Sequence, residues 1–266
     1  MHPAALPTLT RRLCLVAAMA CLVSPLLAGE PRPDATIKNK SFEARIYLDD
    51  TVKADQALAA DCLAEGRKWM EKNAAEAESE RKQDPQLFRD GGWTFERRYN
   101  FRSRVDGHYV SIVRGDYMDT KAAHPNSDVN TILWDSEANK RISIRPFFTE
   151  TADNGPTMKA MVKAVLASLT AEKKKKRDAG DTATSEWFKG IEPKLLKIGA
   201  VTLTPSTVSG KSSGLTFHYP PYAVGSYAEG EYIAFVPWET LKPYLTPEGI
   251  RIFGGARPKG DEDRPQ

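Results

Sequence analysis

The chain has 266 residues, of which 41% are hydrophobic and 27% charged, with a formal net charge of +3 and three cysteines. This is an ordinary globular composition, long enough for one large domain or two small ones sharing a sheet. A balance so close to neutral argues against steering toward nucleic acid or a strongly anionic surface.

Arg11 and Arg12 precede LCLVAAMACLVSPLLAG, an apolar run of signal-peptide length behind a positive region. Ser24 and Pro25 break it, and no later stretch approaches the ~20 apolar residues a membrane span needs. The expected product is exported, periplasmic or secreted, with no transmembrane segment in the mature chain. Leu26-Leu27-Ala28 is a cleavage triplet, which makes residues 1–28 a signal peptide. Ala18-Met19-Ala20-Cys21 resembles a lipoprotein box without its leading Leu, and its use would anchor the protein through Cys21. Cleavage after Ala28 removes two arginines and no acid, lowering the net charge from +3 to +1. It leaves Cys62 alone, so no disulfide forms within the chain. Cys62 follows Leu58 by four residues on a helical pattern and reads as a buried thiol.

Residues 30–40, with Pro31 and Pro33, read as a mobile tether. Phe42, Ala44, Ile46 and Leu48 then alternate with polar residues as a half-buried strand. Asp55 is an N-cap for a helix running to about Lys82, apolar in its first half and solvated in its second. Asp84-Pro85 stops it. Trp93, Phe95, Tyr99 and Phe101 share one strand face with Arg97, and the helices starting near Asp55 and Pro156 are expected to cover that stripe. Arg97 either stacks on the aromatics or reaches a carboxylate. Asp106-Gly107 is a hairpin turn into a strand over residues 109–117.

A polar crossover follows, then strands over residues 129–134 and 141–144. His124 precedes Pro125 and is pushed toward extended geometry, and Asn126, Ser127 and Asp128 are placed to close an Asx-type turn. Pro156 opens the clearest amphipathic helix, with Met158, Met161, Val165 and Leu169 on one face, ending in Lys173 to Lys176 where positive charge suits the C-terminus. Two late strands alternate Leu215, Phe217, Tyr219 and Tyr232, Ala234, Val236. Pro237 opens a short helix, and the tail from Gly254 is expected to be disordered. The fold class is therefore α+β: antiparallel sheets packed against two long helices, with a strand–helix–strand–strand subdomain over residues 29–118 and an α+β domain over 119–253.

His108, His124 and His218 survive export, but HExxH, CxxC and GxSxG are absent, so zinc hydrolysis and the common nucleophile arrangements lack their signatures. Asp116, Asp119 and Asp128 flank the crossover without calcium-loop spacing and read as loop caps. No catalytic residue, metal or cofactor is assigned.

The stretch AAHPNSDVNTILWD, then RISIRPFF, the amphipathic helix and GLTFHYPPYAVGSYAEGEYIAFVPWETLKPYL is similar to the C-terminal domain shared by the RsiV-type lysozyme-sensing anti-sigma factor and a peptidoglycan deacetylase, the RsiV/PdaC type. The matching residues are His124, Pro125 and Asn126, then Phe217, Tyr222, Val224, Tyr227, Gly230 and Pro237; Lys121 and Ala122 stand where that family has glycines. The preceding part resembles the family's small strand–helix domain. The resemblance implies an extracytoplasmic, non-catalytic binding module of the cell envelope, with peptidoglycan or a lysozyme-like protein as partner. The alternative is a cell-wall hydrolase or deacetylase with a cryptic metal or carboxylate site. The expected binding surface joins the crossover over residues 120–128 to the late loop over 222–230, with His124, Asn126, Asp128, Tyr222 and Tyr227 as its residues. In the competing structural reading the two tyrosines plug the end of the core above His124.

Intact-mass analysis of the exported protein should place its first residue at Gly29. Palmitate labelling that disappears in Cys21→Ser would establish the lipoprotein route instead.

Overall fold

The computed structural model describes residues 32–176 and 184–261; the segment expected to be an export signal, with Cys21 and Ala28, lies outside the described residues. Six strands form the first sheet in chain order: β1 (Ala35–Lys38), β2 (Phe42–Leu48), β3 (Trp93–Val105), β4 (Tyr109–Asp119), β5 (Asn126–Asp135) and β6 (Lys140–Ile142). In β2 the apolar alternates are buried and Glu43, Arg45 and Tyr47 half-buried, as period-two patterning requires. A single turn, α1 (Asp50–Lys53), precedes the long α2 (Gln56–Gln83), whose Asp55 cap accepts the Leu58 N–H at 3.1 Å. Because α2 carries the chain back across the sheet, β2 and β3 run parallel, while every other neighbouring pair is antiparallel. The tether expected over residues 30–40 instead contains β1, paired with β2.

One face of this sheet is covered by α2. Leu58, Cys62, Met70 and Ala77 pack on Phe42, Ile46, Phe95, Tyr99, Ile112 and Trp134. The helix lies so close that a Cβ at Gly66 would come within 2.5 Å of Ile46 Cδ1. Burial pushes the Cys62 thiol up to about 12, as expected of an inert core thiol. Arg97 reaches a carboxylate, gripping Asp116 with two hydrogen bonds of 2.7 and 2.6 Å, and the ring it stacks on is Trp69 of α2, at 4.3 Å, instead of an aromatic of its own strand.

A second sheet follows, in the order β7 (Ala200–Leu203), β8 (Gly214–Tyr219) and β9 (Tyr232–Pro237). The amphipathic helix, α3 (Pro156–Lys176), packs here: Met158, Met161, Val165 and Leu169 join Leu215, Phe217, Ala234 and Val236 in a second core. The Trp93–Phe101 stripe is therefore covered by α2 alone, because each long helix supplies the apolar face for a different sheet. Ser168 Oγ of α3 accepts the Phe235 N–H at 3.0 Å, closing part of the outer edge of β9. The α+β architecture with sheets against two long helices is as expected. A boundary between residues 118 and 119, however, would cut the continuous β4–β5 ladder.

Residues 254–261 are not a loose tail. Asp261 is buried, held by Arg102 through two bonds of 2.6 Å and by Arg257 Nε at 2.7 Å. Composition concealed this clamp because the partner Arg102 lies far away in β3. Among the described residues no helix is long and apolar enough to cross a membrane.

Replacing Arg97 with Met strands a buried carboxylate and should cost about 3–5 kcal/mol in denaturant unfolding. The double replacement Arg97→Met with Asp116→Leu should recover most of that loss. Equal losses in the single and double variants would show that the pair is not coupled.

Candidate functional site

The crossover between β4 and β5 and the connection between β8 and β9 come from different sheets and meet at one corner. Asp119 turns the chain out of β4: its carboxylate accepts the Lys121 N–H at 2.9 Å and pairs with Lys121 Nζ at 2.8 Å. Lys121 has φ +60°, the left-handed backbone that glycine adopts more readily. The Asx turn is thus made by Asp119, and Asn126 to Asp128 already belong to β5.

His124 Nδ1 lies 2.9 Å from the Pro125 carbonyl oxygen, which can only accept, so Nδ1 carries the proton. In the neutral ring Nε2 then accepts from the Tyr222 hydroxyl at 3.1 Å. Tyr227 stacks on the imidazole, with centroids 4.0 Å apart and planes inclined by 21°, and its hydroxyl also donates to the Pro125 carbonyl, at 3.0 Å. The two tyrosine rings are 5.6 Å apart. Tyr222 follows Pro220-Pro221 with φ +70° and is 52% exposed, so its ring stands in solvent on a strained backbone.

Three of the five expected residues are brought together, and two are not. Asn126 and Asp128 lie opposite Met118 and Asp116 in the β4–β5 register, and strand alternation places them on the α2 side with Ile132 and Trp134. Asp128 Oδ1 accepts the Val129 N–H at 2.9 Å. Both side chains are exposed and neither joins the aromatic group.

The sequence reading missed what braces this corner from behind. Ser226 and Glu229 form a reciprocal capping box around a short turn, Tyr227–Glu229. Lys173 of α3 is buried, 3.3 Å from Glu229 Oε2 and under the rings of Trp187, Phe188 and Tyr232. The Ser-x-x-Glu pattern was a visible signal; the burial of one lysine inside a basic run was not. Burial alone would raise the Glu229 carboxyl, but hydrogen bonds from the Tyr232 hydroxyl, the Ser226 N–H and hydroxyl and Lys173 outweigh it and hold the group at about 2.

Elsewhere, Asp106, His108 and Glu248 offer atoms within 4.8 Å of one another that could hold a metal ion. Arg251 already pairs with both carboxylates, and the Tyr109 hydroxyl donates to Glu248. His218 is buried against the Thr202 hydroxyl at 2.9 Å. The aromatic corner presents the half-exposed Tyr222 ring and its phenol, held over an imidazole whose two nitrogens are both engaged.

Residues 147–239 match the profile of a family described as a protein of unknown function, DUF3298. The matched segment contains Tyr222, Tyr227 and Glu229 but not His124. A member of the DUF3298 family from Bacteroides fragilis has a similar structure, with 13% identity over 81% of this chain and 93% of that one and a TM-score of 0.50. A DUF3298 family protein from Pseudomonas aeruginosa PAO1 is 18% identical over 82% of this chain and 90% of that one, with a TM-score of 0.51. At these identities the likeness is one of fold. No curated protein matches the chain.

Because the folded-state pKa of Glu229 is lowered from 4.5 to about 2, its contribution to stability is complete above about pH 4.5 and is lost as pH falls toward 2. Glu229→Gln should lower the thermal midpoint at neutral pH and flatten its decline across that window. A decline as steep as that of the unaltered protein would remove Glu229 from the account.

Proposed function

We propose that this protein is an exported, non-catalytic binding module of the bacterial cell envelope that recognises a cell-wall saccharide on the surface formed by Tyr222, His124 and Tyr227. The observation that carries the reading is Tyr222: a large aromatic ring held in solvent by the His124 imidazole, on a backbone that costs a non-glycine residue about 1–2 kcal/mol. Core packing does not account for that expense, since the ring is half exposed. An exposed aromatic face takes up the C–H face of a sugar ring, while the Tyr222 phenol oxygen, whose proton is given to His124, accepts from a sugar hydroxyl. The structural reading fits His124 and Tyr227, which stack beneath and fix Tyr222 in place.

The resemblance to the RsiV/PdaC-type module supports an extracytoplasmic setting and names two partner classes, a wall glycan and a lysozyme-like protein. An exposed aromatic platform favours the glycan. A hydrolase or deacetylase would need a metal or a carboxylate pair to activate water, whereas this corner presents aromatic rings, a phenol and an imidazole.

The test uses Tyr222→Gly, which relieves the left-handed strain and so keeps or raises the melting temperature. Titrated with peptidoglycan fragments, the unaltered protein should bind and Tyr222→Gly should bind about tenfold or more weakly, the loss expected of an aromatic anchor. Unchanged affinity in the glycine variant, or binding to lysozyme alone, would overturn the saccharide reading.

A further inference from the structure

Along β5 the first sheet has an unfinished edge. Strand β6 pairs only with Leu133, Trp134 and Asp135, and the chain then leaves the sheet through Ser143 toward the turn Arg145–Phe147. Residues 126–132 consequently have β4 on one side and, among the described residues, no strand on the other. At about 3.3 Å per residue this open edge is about 20 Å long.

Its main-chain groups are held in a temporary way. The N–H groups of Val129 and Thr131, two residues apart as on one side of an antiparallel strand, are met by Asp128 Oδ1 at 2.9 Å and Asn130 Oδ1 at 2.8 Å. Each cap is the exposed side chain of the preceding residue, which a small rotation would withdraw. Beside the edge lies a cleft of about 420 Å³ with Val129, Leu133, Ile142, Leu195 and Val201 in its lining. At its rim Leu196 is 93% exposed.

We propose that this edge and cleft bind an extended peptide segment of a partner protein by strand addition, continuing the line that β6 abandons. The row of alternating donors and acceptors selects the occupant, since only an extended polypeptide presents the matching row. The cleft accepts an apolar side chain from every second residue of that segment, and Leu196 closes over it. Asp128 and Asn130 protect the edge while it is empty, so the strand does not pair indiscriminately. This assignment is independent of the saccharide surface, which uses His124, Tyr222 and Tyr227.

The experiment uses a fluorescein-labelled heptapeptide, blocked at both ends and alternating Thr with Val and Leu, against its counterpart N-methylated at alternate amides. The side chains are identical, but the methylated peptide lacks the edge hydrogen bonds. Fluorescence anisotropy should show binding of the first and about tenfold or more weaker binding of the second. Leu196→Glu, at a position too exposed to matter for folding, should weaken binding at an unchanged melting temperature. Amide shifts on peptide addition should centre on Val129 and Thr131. Equal affinity for the two peptides, no binding of either, or shifts centred elsewhere would overturn the proposal.

Discussion

Leu203 of β7 touches the first sheet through its peptide groups: its N–H donates to Ser111 Oγ at 3.0 Å, and its carbonyl accepts from Ser103 Oγ at 2.6 Å. Two residues earlier in the same strand, the Val201 N–H donates to Thr131 Oγ1 at 3.0 Å. β7 is the edge of the second sheet, and burying an edge leaves a row of orphaned peptide groups, each costing about 1–3 kcal/mol if unmet. Here three hydroxyls, one each from β3, β4 and β5, meet them. A small hydroxyl residue is needed at each place, because the strand must approach closely and still find a partner.

That contact depends on an irregularity in β3. Up to Phe101 the odd-numbered residues face α2; the register against β4 then shifts between Phe101 and Ser103. Beyond the shift Ser103 lies opposite Ser111, and Val105 enters the second core. The bulge re-aims the strand, so one β3 serves both cores. With β7 fixed, β8 follows in register, and Tyr219 is anchored by donating its hydroxyl to the Ile198 carbonyl at 2.6 Å. The Pro220-Pro221 turn then delivers Tyr222 to His124, while Lys173 and Glu229 hold the far end of the loop against α3. The aromatic corner is a consequence of how two sheets dock.

This hierarchy explains what could be read from residues alone. The Asp55 cap, the Asp106-Gly107 turn and the three-and-four spacing of α3 are local signals, and each reappears in the fold at its expected place. The four-residue strands β1 and β7 carry too little alternation to stand out; β1 pairs with the neighbouring β2, whereas β7 is held by residues of β3, β4 and β5 distant in sequence. A serine at position 103 or 111 looks like a surface residue of a strand; its burial follows from β7, which the chain reaches ninety or so residues later. At the corner, the Pro125 restriction and the tyrosines after Pro220-Pro221 marked two loops that the structure brings into contact. Asn126 and Asp128 lie apart from the aromatic group because β5 begins earlier than its apolar run, and alternation then turns both toward α2.

If the hydroxyl docking governs the arrangement, the Leu203 amide is the place to measure it. In native-state hydrogen exchange it should be among the slowest amides of the protein, opening only with global unfolding, although it donates to a side chain and not to a neighbouring strand. Exchange at the rate of an open edge strand would mean that the sheets separate readily. The account of how the aromatic corner is assembled would then be wrong.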